Sequence, residues 1–206
     1  MRIICLVLLF AITHQITFAQ SFKNQIAEHR EKYKADFVKS TRAPLKEKDF
    51  KNLDFFDADS VYSIIADIEI LQNEHAFKMP TYAGTTAEYV RYAKANFKLN
   101  GKNLQLTIYR NLALAADPDY KDYLFLPFTD LTNGKESYGG GRYLDFKTSD
   151  IKNERIIIDF NKAYNPYCAY SDGYRCPIPP EGNDLAISIN AGEKKYLGEK
   201  KKRVID

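Results

Sequence analysis

Tryptophan is absent from this chain, and histidine and cysteine occur only three times each. His14 and Cys5 fall in the first nineteen residues, which leaves His29, His75, Cys168 and Cys176 for the rest. That scarcity argues against a Ser-His-Asp hydrolase, a Cys-His nucleophile and a zinc site with ordinary ligand spacing. No Gly-x-Ser-x-Gly elbow, P-loop or dinucleotide fingerprint occurs, so no cofactor is implied. Neither sign of charge dominates: 30 basic residues face 27 acidic ones, for a net charge of +3. The balance gives no electrostatic case for nucleic acid as a partner. After residue 19 no apolar run approaches the length that crosses a membrane.

What is present begins with an export pattern. Arg2 supplies a positive start, Ile3 to Ile12 an apolar stretch, and Thr17-Phe18-Ala19 a small-residue cleavage box. The expected organisation is a signal peptide over 1–19 and a single domain over 20–206. Its parts are a helix and lead-in over 20–57, a β domain over 58–193 and a frayed basic tail over 194–206. Localisation outside the cytoplasm, periplasmic or secreted, follows from cleavage near Ala19.

Phe22, Ile26, Tyr33 and Phe37 recur at helical spacing, so Phe22 to Ser40 reads as an amphipathic helix with Ser21 as its cap. From Ser60 the period changes to two. Tyr62, Ile64, Ala66, Ile68 and Ile70 alternate with polar residues, as do Ala93 to Leu99 and Leu104 to Ile108. Asn100-Gly101 between the last two runs predicts a two-residue hairpin turn with positive φ at both positions. Tyr123 to Phe128 reads as a buried strand, with Pro127 suggesting an edge or a bulge. Tyr143 to Phe146 and Arg155 to Phe160 read as a strand pair, and Leu185, Ile187 and Ile189 as a last strand. The expected fold is mainly β: an antiparallel sandwich or open barrel built from hairpins, with the N-terminal helix packed on it.

Unusual residues crowd into the span from Tyr138 to Lys194. Tyr138-Gly139-Gly140-Gly141-Arg142 offers backbone freedom beside a guanidinium, a combination suited to a carboxylate or phosphate. The alternative is a structural bulge with Arg142 paired to Asp145 or Asp159. Asp159 and Asn161 flank Phe160 and share a face if the strand continues. With Tyr164 and Asn165 they complete the candidate ligand-binding set. Cys168 and Cys176 in an exported chain favour a disulfide, and closing that short loop would stabilise the fold by roughly 2.5 kcal/mol. Three readings follow. The first is a module binding a small anionic or polar ligand near Arg142 and the proline-rich cysteine loop. The second is a structural or interaction protein whose motif only fixes that loop. The third is a hydrolase with Asp159 or Glu193 as base and Arg142 as stabiliser.

Taken together, Tyr138 to Tyr143, Asp159-Phe-Asn161, Ala163 to Pro166, Cys168-Ala169, Cys176-Pro177, Asn183 and Ala191-Gly192-Glu193 resemble the signature of a bacterial family known only as domain of unknown function 1684. Pro44-Leu45, Phe50 and Tyr123 to Asp130 resemble it too. The likeness spans nearly all of the chain after residue 19. It implies membership and no particular reaction. It also implies that relatives without an export signal carry the same two cysteines, which gives some weight to a role other than a staple.

Overall fold

The computed structural model describes residues 2–202, with side chains from residue 20 onward. A helix, α1 (Arg2–Lys39), precedes eight strands. These are β1 (Ser63–Ile70), β2 (Phe77–Pro80), β3 (Thr86–Leu99), β4 (Lys102–Asn111), β5 (Tyr123–Asp130), β6 (Arg142–Lys147), β7 (Arg155–Asp159) and β8 (Asp184–Leu185). A four-residue helix, α2 (Leu112–Ala115), follows β4. α1 runs through Ser21, which therefore is not a cap; its side chain is exposed on the helix. The expected signal peptide lies where side chains are not described.

The strands form one sheet in the order β6-β5-β4-β3-β1-β7, with β2 on β3 and the short parallel β8 on β5. Its concave side is one apolar cluster that takes Leu144 from β6 and Ile156 and Ile158 from β7. The two ends of the strand order thus share a core, so the sheet is curled into a half-barrel rather than paired into a sandwich. Phe160 helps to hold that curl. It is fully buried, meets Phe128 of β5 edge-to-face at 5.1 Å and lies 6.0 Å from Phe97 of β3. Burying one such ring is worth about 1.5–3 kcal/mol, ample to anchor the chain leaving β7.

The hairpin between β3 and β4 turns at Asn100 and Gly101 with φ of 50° and 78°, as the sequence predicts. Two expectations change. The segments read as a strand pair, β6 and β7, do not touch as strands; β6 pairs with β5 and β7 with β1, and they are the two edges of the sheet. The last strand shrinks to Asp184–Leu185, although Leu185, Ile187 and Ile189 keep their inward alternation. Residues 194–202 are not a frayed tail either. Lys194, Lys195, Leu197 and Lys201 donate backbone hydrogen bonds to Asp54, Glu136, Asn52 and Tyr170, and the Lys201 ammonium reaches Asp49 and the Pro44 carbonyl. Among the described residues no helix is long and apolar enough to cross a membrane.

Candidate functional site

β6 is an edge strand, so its outer backbone groups need other partners. Tyr143 finds one in Tyr164, with N–H to carbonyl bonds of 2.9 and 3.1 Å in both directions. Past that bridge the edge opens onto a cavity of about 1140 Å³. Four consecutive residues, Tyr143 to Phe146, line it, so it wraps the strand edge and draws on both faces. Ile156 and Ile157 of β7 form the facing wall, α1 contributes His29, Tyr33 and Phe37, and the loop from Tyr164 to Pro177 closes one side. The gap in the half-barrel is therefore the cavity.

Asp145 lines this space with its side chain exposed to it. Tyr123 donates to its Oδ1 at 2.7 Å, and the Tyr164 hydroxyl lies 2.8 Å from both oxygens. Desolvation raises the carboxyl's pKa, and the two phenols pull it partly back. Tyr143 stands two positions before it on the same strand face. The rings of Tyr143 and Tyr164 are perpendicular, with centroids 5.9 Å apart.

Beneath the cavity a second carboxylate is sealed. Glu193 is fully buried, and Tyr170, Tyr33 and the Asn165 backbone N–H donate to it at 2.6, 3.0 and 2.9 Å. Burial pushes its pKa up to about 7 against those hydrogen bonds. Tyr33 comes from α1, so Glu193 ties the helix to the β domain.

The expected ligand-binding residues divide between frame and cavity. Arg142 is completely buried and pairs with Asp130, Nη2 to Oδ2 at 2.7 Å, not with Asp145 or Asp159. The carbonyls of Ala191, Glu193 and Ile189 take further donors of its guanidinium. Asp130 also accepts from the backbone N–H groups of Thr132 and Ile189. This is a structural node, and it lies off the cavity lining. In the glycine triplet only Gly141 has a positive φ, +86°. A side chain there would meet the Phe128 carbonyl oxygen and Pro179 at 2.7 Å, so the close approach is to the chain itself. Gly139, Gly140 and Tyr138 do not line the cavity, although the Gly140 carbonyl accepts from the Tyr82 hydroxyl.

Strand β7 ends at Asp159, and Phe160–Lys162 is a single 3-10 turn, so Asp159 and Asn161 do not continue along one face. Asp159 Oδ1 accepts from the backbone and side-chain nitrogens of Asn161. Asn161 in turn brackets the backbone of Asp59, accepting from its N–H and donating to its carbonyl. Asn165 donates from Nδ2 to the Lys194 carbonyl. Of the nine residues expected around a ligand, Asp159 and Tyr164 line the cavity, while Arg142, Asn161 and Asn165 are buried in its frame. Asp159 and Glu193 are each satisfied by structural partners, so they form no acid–base pair.

The expected disulfide is not formed. Cys168 and Cys176 are free, buried thiols side by side; the Cys168 N–H donates to the Cys176 sulfur at 3.2 Å, and the Cys168 thiol to the Tyr174 carbonyl at 3.1 Å. Hydrogen bonding with Cys176 lowers the Cys168 pKa to about 7, and the Cys176 thiol is raised in turn. Cys176 also lines the cavity. Among the described residues no group of His, Cys, Asp and Glu is arranged to hold a metal ion.

Sequence reasoning named Asp145 only as a possible partner of Arg142 and missed its site. A usable signal was there: Tyr143 and Asp145 share a strand face, and a carboxylate beside tyrosines on an edge strand needs donors that strand pairing does not supply.

No curated protein matches the chain. A solved structure that does is the solution NMR structure of an uncharacterised protein from Haloarcula marismortui, with 31% sequence identity, a TM-score of 0.66, and coverage of 86% of this chain and 96% of that one. A family model described as a protein of unknown function, DUF1684, matches residues 48–194, and the chain belongs to that family.

Proposed function

We propose that this protein is a small-molecule binding module whose ligand lies in the cavity between the two sheet edges and α1. The observation that carries the reading is the aromatic-walled space of about 1140 Å³ with a phenol-bonded carboxylate on its lining. Ligand sites combine a concave, largely apolar wall with a few placed polar groups. Here Tyr143, Phe146, Ile156 and Tyr164 supply the wall, and Asp145 is the polar group set among the tyrosines, with other charged side chains also on the lining. The site adjoins the Gly-Gly-Gly-Arg strand and the cysteine loop; of the signature residues, Arg142, Asn161 and Asn165 build its frame, while Tyr143, Asp159 and Tyr164 line it.

The test is a fragment screen by thermal shift against the unmodified protein and Ile157→Trp. Ile157 lines the cavity and is 61% exposed, so an added ring fills the space without disturbing the core. Fragments that stabilise the protein are expected to lose their effect in the variant. Hits that stabilise both proteins equally would place binding elsewhere.

Export is part of the same proposal, supported by Arg2, the apolar run Ile3 to Ile12 and the Thr17-Phe18-Ala19 box. A mature protein beginning at Gln20, read by intact mass from a secreting host, is the expected outcome; an uncleaved chain contradicts it.

A further inference from the structure

Asp145 differs from the buried aspartates of this protein. Asp130 has Arg142, Asp159 has Lys162 and Asp49 has Lys201. Among the described residues no Lys, Arg or His stands within ion-pair distance of Asp145; its partners are two neutral phenols. Asp145 instead lies exposed on the cavity lining, with only the phenols as partners. A cationic group that enters the cavity can therefore reach it and add the charge-assisted hydrogen bond that neutral phenols do not supply.

The surroundings suit an ammonium group on an apolar body. The perpendicular rings of Tyr143 and Tyr164 make an aromatic corner beside the carboxylate, and Tyr33 lies 6.0 Å from Tyr164. Tyrosine faces attract cations, most strongly where water is excluded. Further along, Phe146, Ile156 and Ile157 offer apolar contact. Charges of both signs, Asp36, Asp150 and Asp159 with Lys32, Lys152, Lys162 and Arg175, also line the cavity. Resting on the binding function proposed above, we propose that the cavity takes a protonated primary amine on an aromatic or aliphatic body, with the ammonium donating to Asp145.

The probes are 2-phenylethylamine, its neutral counterpart 2-phenylethanol and the anionic 3-phenylpropionate, titrated calorimetrically at neutral pH into the whole protein, Asp145→Asn and Ile157→Trp. The amine is expected to bind about tenfold or more tightly than the alcohol, the difference a charge-assisted hydrogen bond makes, and the carboxylate more weakly still. The amide introduced by Asp145→Asn keeps an acceptor for the phenols, so this variant is expected to erase the amine preference and retain alcohol binding. Equal binding of amine and alcohol, both abolished by Ile157→Trp, overturns the amine assignment and leaves the cavity as a ligand site. Preference for the carboxylate also overturns it. Binding of none of the three at millimolar concentration contradicts both proposals. If Asp145→Asn does not fold, the ranking of the three probes on the unmodified protein still decides.

Discussion

Arg142 and Glu193 share a segment, Ala191 to Glu193, but solve burial in opposite ways. Arg142 keeps its charge beside Asp130, and its two terminal nitrogens donate further to carbonyls of the 189–193 segment. Breaking such a pair leaves an uncompensated charge, so the arginine is fixed by structure before any ligand is considered. Glu193 has only hydroxyl and backbone donors, and its pKa rises to about 7. Its protonated form is therefore favoured by folding. The stability it contributes is full below its ordinary value of 4.5, declines as pH rises, and is lost above about 7. A shift of this size corresponds to about 3 kcal/mol. Urea unfolding at pH 5 and pH 8 is expected to show a smaller loss of stability in Glu193→Gln than in the unmodified protein. His29, whose pKa is lowered mainly by desolvation, and Asp145 contribute equally to both proteins, so the difference isolates Glu193. An identical pH dependence in both would mean that Glu193 stays ionised.

At the scale of elements, Pro127 and Asn183 explain one another. Tyr109 opposes Phe125 across β4 and β5, which places Thr107 opposite Pro127. Proline has no N–H to give, so the ladder stops there. The Asn183 side chain fills the gap: its Oδ1 accepts from Thr107 N at 2.7 Å, and its Nδ2 donates to the carbonyls of Thr107 and Pro127 at 2.8 and 2.7 Å. Pro127 is thus tolerated within the sheet, not at an edge, because a side chain supplies what its backbone cannot. Asn183→Ala is expected to cost about 2–4 kcal/mol in chemical denaturation, since it removes three hydrogen bonds and strands buried backbone groups; a cost below about 1 kcal/mol would show that water or a shift of β5 replaces the amide. The sequence displayed β1, the β3–β4 hairpin and β5 because their alternation is local. It did not display where β6 and β7 would sit. Both are short alternating runs, and only the pairings of β1 and β5, decided by residues far away in the chain, send them to opposite edges. The candidate site was harder still. Arg142 beside three glycines has the local chemistry of an anion receptor, but Asp130, twelve residues earlier, had already claimed it.

At the scale of the molecule, the curl of one sheet decides where the cavity lies. A flat sheet would leave the β6 and β7 edges far apart. The half-barrel brings both to one cavity, and α1 covers it, clamped by Tyr33 on Glu193 and by Phe37 packed against Tyr170. Arg142, Asn161 and Asn165 hold this frame, and the proposed binding groups, Asp145 with Tyr143 and Tyr164, line the cavity beside it. The most direct test is an amide NMR titration with the strongest hit of the fragment screen. The account predicts shift changes concentrated at residues 143–146 of β6, 156–157 of β7 and 29–37 of α1, on both sides of the gap at once. Changes confined to one edge of the sheet, or centred on surfaces remote from Asp145, would contradict it.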